Sequence, residues 1–227
     1  MDQLELMDCV SNAGIDSLRG FSYQIKVFLL FLSQIKENEK IGYETIDDVS
    51  IQKLNESNFD EKCDGYVSVK TGINIYTAIQ VKRTTITIDV AKGILLNWLL
   101  LKDRGDVEEY IIFTEKDYKN TDNIFNINFD DFFDEIQNSK KRKDALIMKV
   151  KNLFNGDKFL KYITEIKGHY KFENADKLDD KIYQAYSSIF MKGGVADSIY
   201  ILRINELHNF VIENLFSCIE KRRPYVC

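Results

Sequence analysis

A chain of 227 residues with 44% hydrophobic, 12% aromatic and 30% charged residues has the balance of one globular domain with room for a helical extension. Its formal net charge of −5 excludes a broadly basic nucleic-acid binder, although the local field of a groove, not the total, governs contact with phosphates. A single proline, Pro224, leaves no Pro-rich linker, Met1 to Asn12 lack the basic start of a signal peptide, and the longest apolar run, Val27 to Leu32, is too short for a bilayer. The four cysteines (Cys9, Cys63, Cys218, Cys227) form no C-x-x-C, and His169 and His208 offer no zinc spacing. A reducing cytoplasm and no membrane contact are the expectation.

Helical spacing of Phe21, Ile25, Phe28, Leu29, Leu32 and Ile35 predicts a helix from Ser17 to about Lys36, capped by Asp16 or Ser17. Its middle is apolar almost all round, which predicts burial on more than one side. Two short strands follow, Ile41 to Glu44 and Val49 to Gln52, joined around Asp47-Asp48. After a polar stretch from Asn55 to Asp64, Gly65 to Lys70 and Ile73 to Lys82 read as a hairpin across Thr71-Gly72. A second helix runs from a Thr87 or Asp89 cap to about Lys102, with Val90, Ile94, Leu95, Trp98 and Leu101 on one face. Trp98 there reads as a core anchor. Glu109 to Thr114 is a short buried strand, and strands alternating with helices imply a mixed sheet covered on both faces.

Residues 116–128 are rich in Asn and Asp and read as irregular. Helices are expected near 129–138, 144–154, 157–167, 176–190 and 196–222. In the last, Ile201, Ile204, His208, Val211, Leu215 and Cys218 form a heptad-like seam, widened by Leu207, Phe210, Phe216 and Ile219. His208 in that seam reads as a satisfied core histidine. The basic runs Lys140-Lys141-Arg142-Lys143 and Lys221-Arg222-Arg223 read first as solvated helix ends.

The chemistry-bearing residues are Glu44, Asp47, Asp48, Gln80 and Lys82. Strand alternation puts Gln80 and Lys82 on one face and Val81 on the other. Carboxylates and an amide oxygen suit a hard divalent cation, and the ammonium suits a nearby anion such as phosphate. Each part alone is weak, because an Asp-Asp pair is usually a solvated turn and a Gln-x-Lys arises by chance. A polar pair in the otherwise apolar run Thr77 to Lys82 is the stronger signal.

Arg19-Gly20-Phe21-Ser22-Tyr23-Gln24, Glu44-Thr45-Ile46-Asp47-Asp48-Val49, Ile79-Gln80-Val81-Lys82 and the strand ending Phe113-Thr114 together resemble the restriction-endonuclease-like PD-(D/E)xK superfamily. The likeness covers about the first 115 residues, and within the superfamily it is nearest to the nuclease domain of CD-NTase-associated and Lamassu-type anti-phage effectors. It implies an α/β core of helix, three-stranded meander, helix and strand over residues 1–120, followed by an all-helical oligomerisation or partner-binding region over 121–227. It also implies a metal-dependent endonuclease of double-stranded DNA in antiviral defence, using Mg²⁺ or Mn²⁺. By the same resemblance Asp48 is the first-choice metal ligand and Asp47 its alternative, Glu44 a supporting acid, Gln80 a ligand through its amide oxygen, and Lys82 the catalytic amine. Gln24 would border the site. The proline that usually precedes the acid is absent, since Ile46 and Asp47 stand there, and Gln80 replaces the more usual acid. The long insertion before Gln80 leaves Asp64 as a further candidate.

The implied partners are DNA and either further copies of the chain or a sensor or ATPase subunit. The competing reading is a non-catalytic interaction subunit on a nuclease-like fold. RNA in place of DNA is not discriminated by any residue.

Overall fold

The computed structural model describes residues 13–37, 39–43, 49–53, 75–118, 124–140, 145–190, 197–220 and 225–226. Among them the chain forms seven α-helices and one six-stranded mixed sheet. Helix α1 (Ala13–Leu32) leads into β1 (Glu39–Tyr43), β2 (Val49–Lys53) and β3 (Ile75–Lys82), which pair antiparallel in sequence order. Helix α2 (Ile88–Arg104) then crosses to β4 (Val107–Thr114), which lies parallel to β3. The expected α/β class, with a mixed sheet covered on both faces, is what the structure has.

Local chemistry accounts for these boundaries. The Thr87 side chain accepts from the Val90 N–H at 3.3 Å to open α2. Gly105, at φ 79°, closes it with its N–H on the Lys102 carbonyl, in a backbone region that favours glycine. Helix α1 starts at Ala13, so Asp16 and Ser17 fall within its opening turns and are not its cap. It stops at Leu32, ahead of the expected Lys36, where the Ser33 hydroxyl donates to the Leu30 carbonyl at 2.6 Å.

Beyond residue 120 the helices are α3 (Phe129–Asn138), α4 (Ala145–Leu153), α5 (Gly156–Gly168), α6 (Leu178–Phe190) and α7 (Asp197–Glu220), close to the expected spans. The expectation of an all-helical region there is corrected. Tyr170–Asn174 forms β5, parallel to β4, and Tyr225–Val226 forms β6, antiparallel to β1, so the sheet order is β5-β4-β3-β2-β1-β6. The arm expected over Gly65 to Lys70 lies outside the described residues; β3 pairs with β2 instead.

Two apolar cores flank the sheet, and each draws on both sides of residue 120. On one face α1 packs with Ile79, Val81, Ile111 and Phe113 of the sheet and with Ile182, Tyr186, Val211 and Leu215 of α6 and α7. The middle of α1 is buried all round, from Val27 to Phe31, as its composition predicts. On the other face Trp98 and Leu95 of α2 meet Ala78, Tyr110 and Ile112, then Phe132, Phe159 and Ile163 of α3 and α5. Trp98 is fully buried, its ring 5.2 Å from Tyr110 and 6.1 Å from Tyr170. The core role expected of it holds.

Candidate functional site

The β-branched and aromatic run Ile75 to Lys82 makes β3 an interior strand, paired on both sides. Ile79 and Val81 enter the α1 core and Ala78 the α2 core, so Gln80 and Lys82 belong to the α2 face. Gln80 is 7% exposed, and it and Thr114 are the buried polar residues among those described. Lys82 pairs with Thr114 at the carboxyl end of the strand and is half-buried. An amide on the inside of an apolar strand with an amine at its rim is the arrangement expected of a half-buried polar site.

Glu44, Asp47, Asp48 and Asp64 lie outside the described residues. The residues that flank positions 44–48 are described: Tyr43 pairs with Val49, and Val49 pairs with Ile79, the neighbour of Gln80. Among the described residues no group of three or more His, Cys, Asp or Glu converges to hold a metal.

Gln24 does not border the Gln80 face. Its Oε1 accepts from the Tyr43 hydroxyl at 3.0 Å, and Tyr43 is part of the core on the α1 face. Helix α1 covers the opposite side of the sheet from Gln80 and Lys82, while the acids that Gln24 is expected to border lie outside the described residues.

On that α1 face, where β3, β4 and β5 end, a cleft of about 320 Å³ is lined by Arg19, Tyr23, Lys26, Arg83, Glu115 and Lys177, among others. The Arg83 Nε sits 3.4 Å from Glu115, and the Tyr118 hydroxyl donates to the Arg83 carbonyl at 2.6 Å. Burial first, then the Glu115 carboxylate and the Tyr118 phenol, push the Tyr23 phenol well above its ordinary range; the Arg83 cation works against them. Sequence reasoning passed over these residues except as parts of the first-helix motif. A usable signal was Arg83 directly after a Gln-x-Lys strand, a cation at a strand's carboxyl end.

Next to it, across the Lys26–Asp179 ion pair at 2.9 Å, a larger cavity of about 660 Å³ lies between α1, α6 and α7. Leu29, Ile182, Ile201 and Ile204 line it together with His208. His208 is not the satisfied core histidine expected: it is half-buried, and its Nε2 has no hydrogen-bond partner among the described residues. Burial, then the Lys26 cation, lower its affinity for a proton, while Asp179 opposes them. The seam holds in part. Val211 and Leu215 are buried and Ile204 packs beside them, whereas Ile201 is exposed on the cavity rim. Phe210 and Phe216 are also exposed.

Of the basic runs, Lys140 is described and exposed; 141–143 and 221–223 lie outside the described residues. No helix among the described residues is long and apolar enough to cross a membrane. This chain matches no protein-family model, no curated protein and no solved structure.

Proposed function

We propose that this chain is a divalent-metal-dependent endonuclease of double-stranded DNA on a restriction-endonuclease-like core, acting as an effector in anti-phage defence under the control of a partner or of self-assembly. The observation that carries the reading is the register Tyr43–Val49–Ile79 across three adjacent strands. Peptide bonds join Glu44 to Tyr43, Asp48 to Val49 and Gln80 to Ile79. The described neighbours of the acids and of the amide are therefore in register on adjacent strands at one end of the sheet, with Lys82 two residues beyond Gln80 on β3. The order α1, β1, β2, β3, α2, β4 also agrees with the core that the resemblance implies.

The donor set suits magnesium or manganese, because carboxylate and amide oxygens are hard ligands and Mg²⁺ needs only one or two carboxylates. A bound divalent cation supplies Lewis acidity that makes water nucleophilic near neutral pH and neutralises the leaving oxygen. In this reading Asp48 is the principal acid, Glu44 supports it, and Asp47 is its alternative. Gln80, itself 7% exposed, contributes an amide oxygen, and the Lys82 ammonium steadies the anionic phosphate. What supports a partner is the exposed apolar surface of α7, where Leu202, Phe210 and Phe216 are each more than half exposed.

The test is cleavage of plasmid DNA by purified protein at raised concentration with Mg²⁺ or Mn²⁺. Lys82→Ala and Asp48→Ala are each expected to lower the rate by about a hundredfold or more, the loss typical of a transition-state contact. Full activity in Lys82→Ala would rule out this site. Cleavage of RNA in place of duplex DNA would change the substrate class while keeping the reaction.

A further inference from the structure

We propose that the cleft on the α1 face, at the carboxyl ends of β3, β4 and β5, is a binding site for a phosphate group. It is separate from the Gln80–Lys82 face and does not depend on the nuclease reading.

Carboxyl ends of parallel strands are where open α/β sheets place their ligands, because the loops diverge there and leave a crevice. The electrostatics select an anion. Four cations, Arg19, Lys26, Arg83 and Lys177, line the cleft against two carboxylates, Glu115 and Asp179. The Arg83–Glu115 pair is about 40% exposed on both sides and 3.4 Å long, so it leaves the guanidinium able to turn toward a stronger acceptor. The amino end of α6 follows directly on Lys177, and its outward N–H groups add to the field for an anion.

Tyr23 adds the independent evidence. It is 6% exposed and lines the cleft, yet its hydroxyl has no hydrogen-bond partner among the described residues. A buried hydroxyl without a partner costs free energy that a bound acceptor would return. A tyrosine phenol is protonated at neutral pH, and burial moves it further from ionising, so it is a donor there. Lys177, the non-glycine residue with positive φ (55°) among those described, stands at the same cleft, in a conformation that costs an L-residue energy. A buried donor hydroxyl on a lining residue, excess cations and a helix amino end beside a volume of about 320 Å³ suit a terminal phosphate or small phosphoester.

The experiment is titration of inorganic phosphate into the full chain at constant ionic strength, with chloride as the balancing anion, followed by calorimetry. Wild type should show saturable binding. Tyr23→Phe should weaken it several-fold, and Arg19→Gln with Lys177→Gln by roughly tenfold or more, as for lost charge-assisted hydrogen bonds. Lys161→Gln, an exposed cation of α5 on the other side of the sheet, should bind phosphate like wild type whether or not the chain cleaves DNA. A parallel titration with a short DNA duplex separates the sources. Losses with phosphate identify a small phosphorylated ligand, and losses confined to the duplex identify the nucleic-acid backbone. Equal binding by wild type and all the cleft variants in both titrations, or none beyond the chloride control, overturns the proposal.

Discussion

The Tyr43 hydroxyl donates to Gln24 Oε1 at 3.0 Å, tying the last residue of β1 to the middle of α1. The Tyr43 ring also meets Phe21 and Phe28 edge-on, at 6.0 and 6.1 Å between centroids. A polar contact and two aromatic contacts thus hold the strand end that leads into Glu44. Tyr43→Phe keeps the rings and removes the hydroxyl, so we expect a loss of about 1 kcal/mol in urea unfolding. Tyr43→Ala should cost about 3–5 kcal/mol, because a ring is removed from a close-packed core. Equal stability of the Phe variant and wild type would show that the hydroxyl contributes nothing net.

Trp98 joins three elements, since its ring on α2 touches Tyr110 of β4 and Tyr170 of β5. Trp98→Ala is expected to cost about 3–5 kcal/mol by circular dichroism melts. It should also loosen β5, which hydrogen exchange at Tyr170–Asn174 would read as lost protection. Unchanged exchange there would mean that β5 is held by its ladder with β4 alone.

Trp98 and Tyr170 also show where sequence reading succeeds and where it stops. The α2 pattern is legible because cap, apolar face and terminal glycine agree, and in α3 the Asn128 cap agrees with the apolar face of Phe132 and Ile136. The strand Tyr-Lys-Phe-Glu-Asn has only five residues, two of them charged, and lies between strong helices, so propensity gives it no weight. Its alternation of Tyr170 and Phe172 with Lys171 and Glu173 is the period of an edge strand, and that was the available signal. The two-residue β6 carries no pattern at all; long-range pairing with β1 alone makes it a strand. At the site, the alternation of Gln80 and Lys82 is legible from the strand. Which helix covers them is not, because it depends on the handedness of the whole sheet.

His208 should impose a pH dependence on folding. Burial and Lys26 lower its proton affinity from the ordinary 6.5, outweighing Asp179. The unfolded chain therefore binds the proton more readily between the two values, and stability rises with pH there. The contribution is present above about 6.5 and is lost as pH falls through the lower folded value. Asp180, Tyr183 and Asp197 line the same cavity, so the slope is best isolated by comparison with His208→Leu. We expect that variant to be less sensitive to acid over this range, as read from urea midpoints at successive pH. Parallel curves for the two proteins would rule out His208 as the titrating group.

Glu173 carries the opposite sign. Burial raises its carboxyl above the ordinary 4.5, with Glu109 adding and Lys171 and Lys181 opposing. Here the folded chain holds the proton more tightly, so its contribution is present below the unfolded value and is lost as pH rises through the folded one. Glu173→Gln should consequently be more stable than wild type at neutral pH and should approach it in acid. Destabilisation at neutral pH would mean that its charge interactions with Lys171 and Lys181 outweigh the cost of burial.

Gln80→Glu tests the cation reading with a readout other than cleavage. At 7% exposure a carboxylate in this position is deprived of water, so without divalent metal the variant should unfold at lower urea than wild type. If Asp48 and Glu44 converge on the same point, the added acid also completes a stronger oxygen cage for Mg²⁺. Binding to the folded state alone would then restore about 3 kcal/mol at a hundredfold excess over the dissociation constant. Gln80→Leu, which cannot ligate, should show no such rise. A magnesium shift in Gln80→Glu no larger than in Gln80→Leu would mean that no cation sits at this end of the sheet.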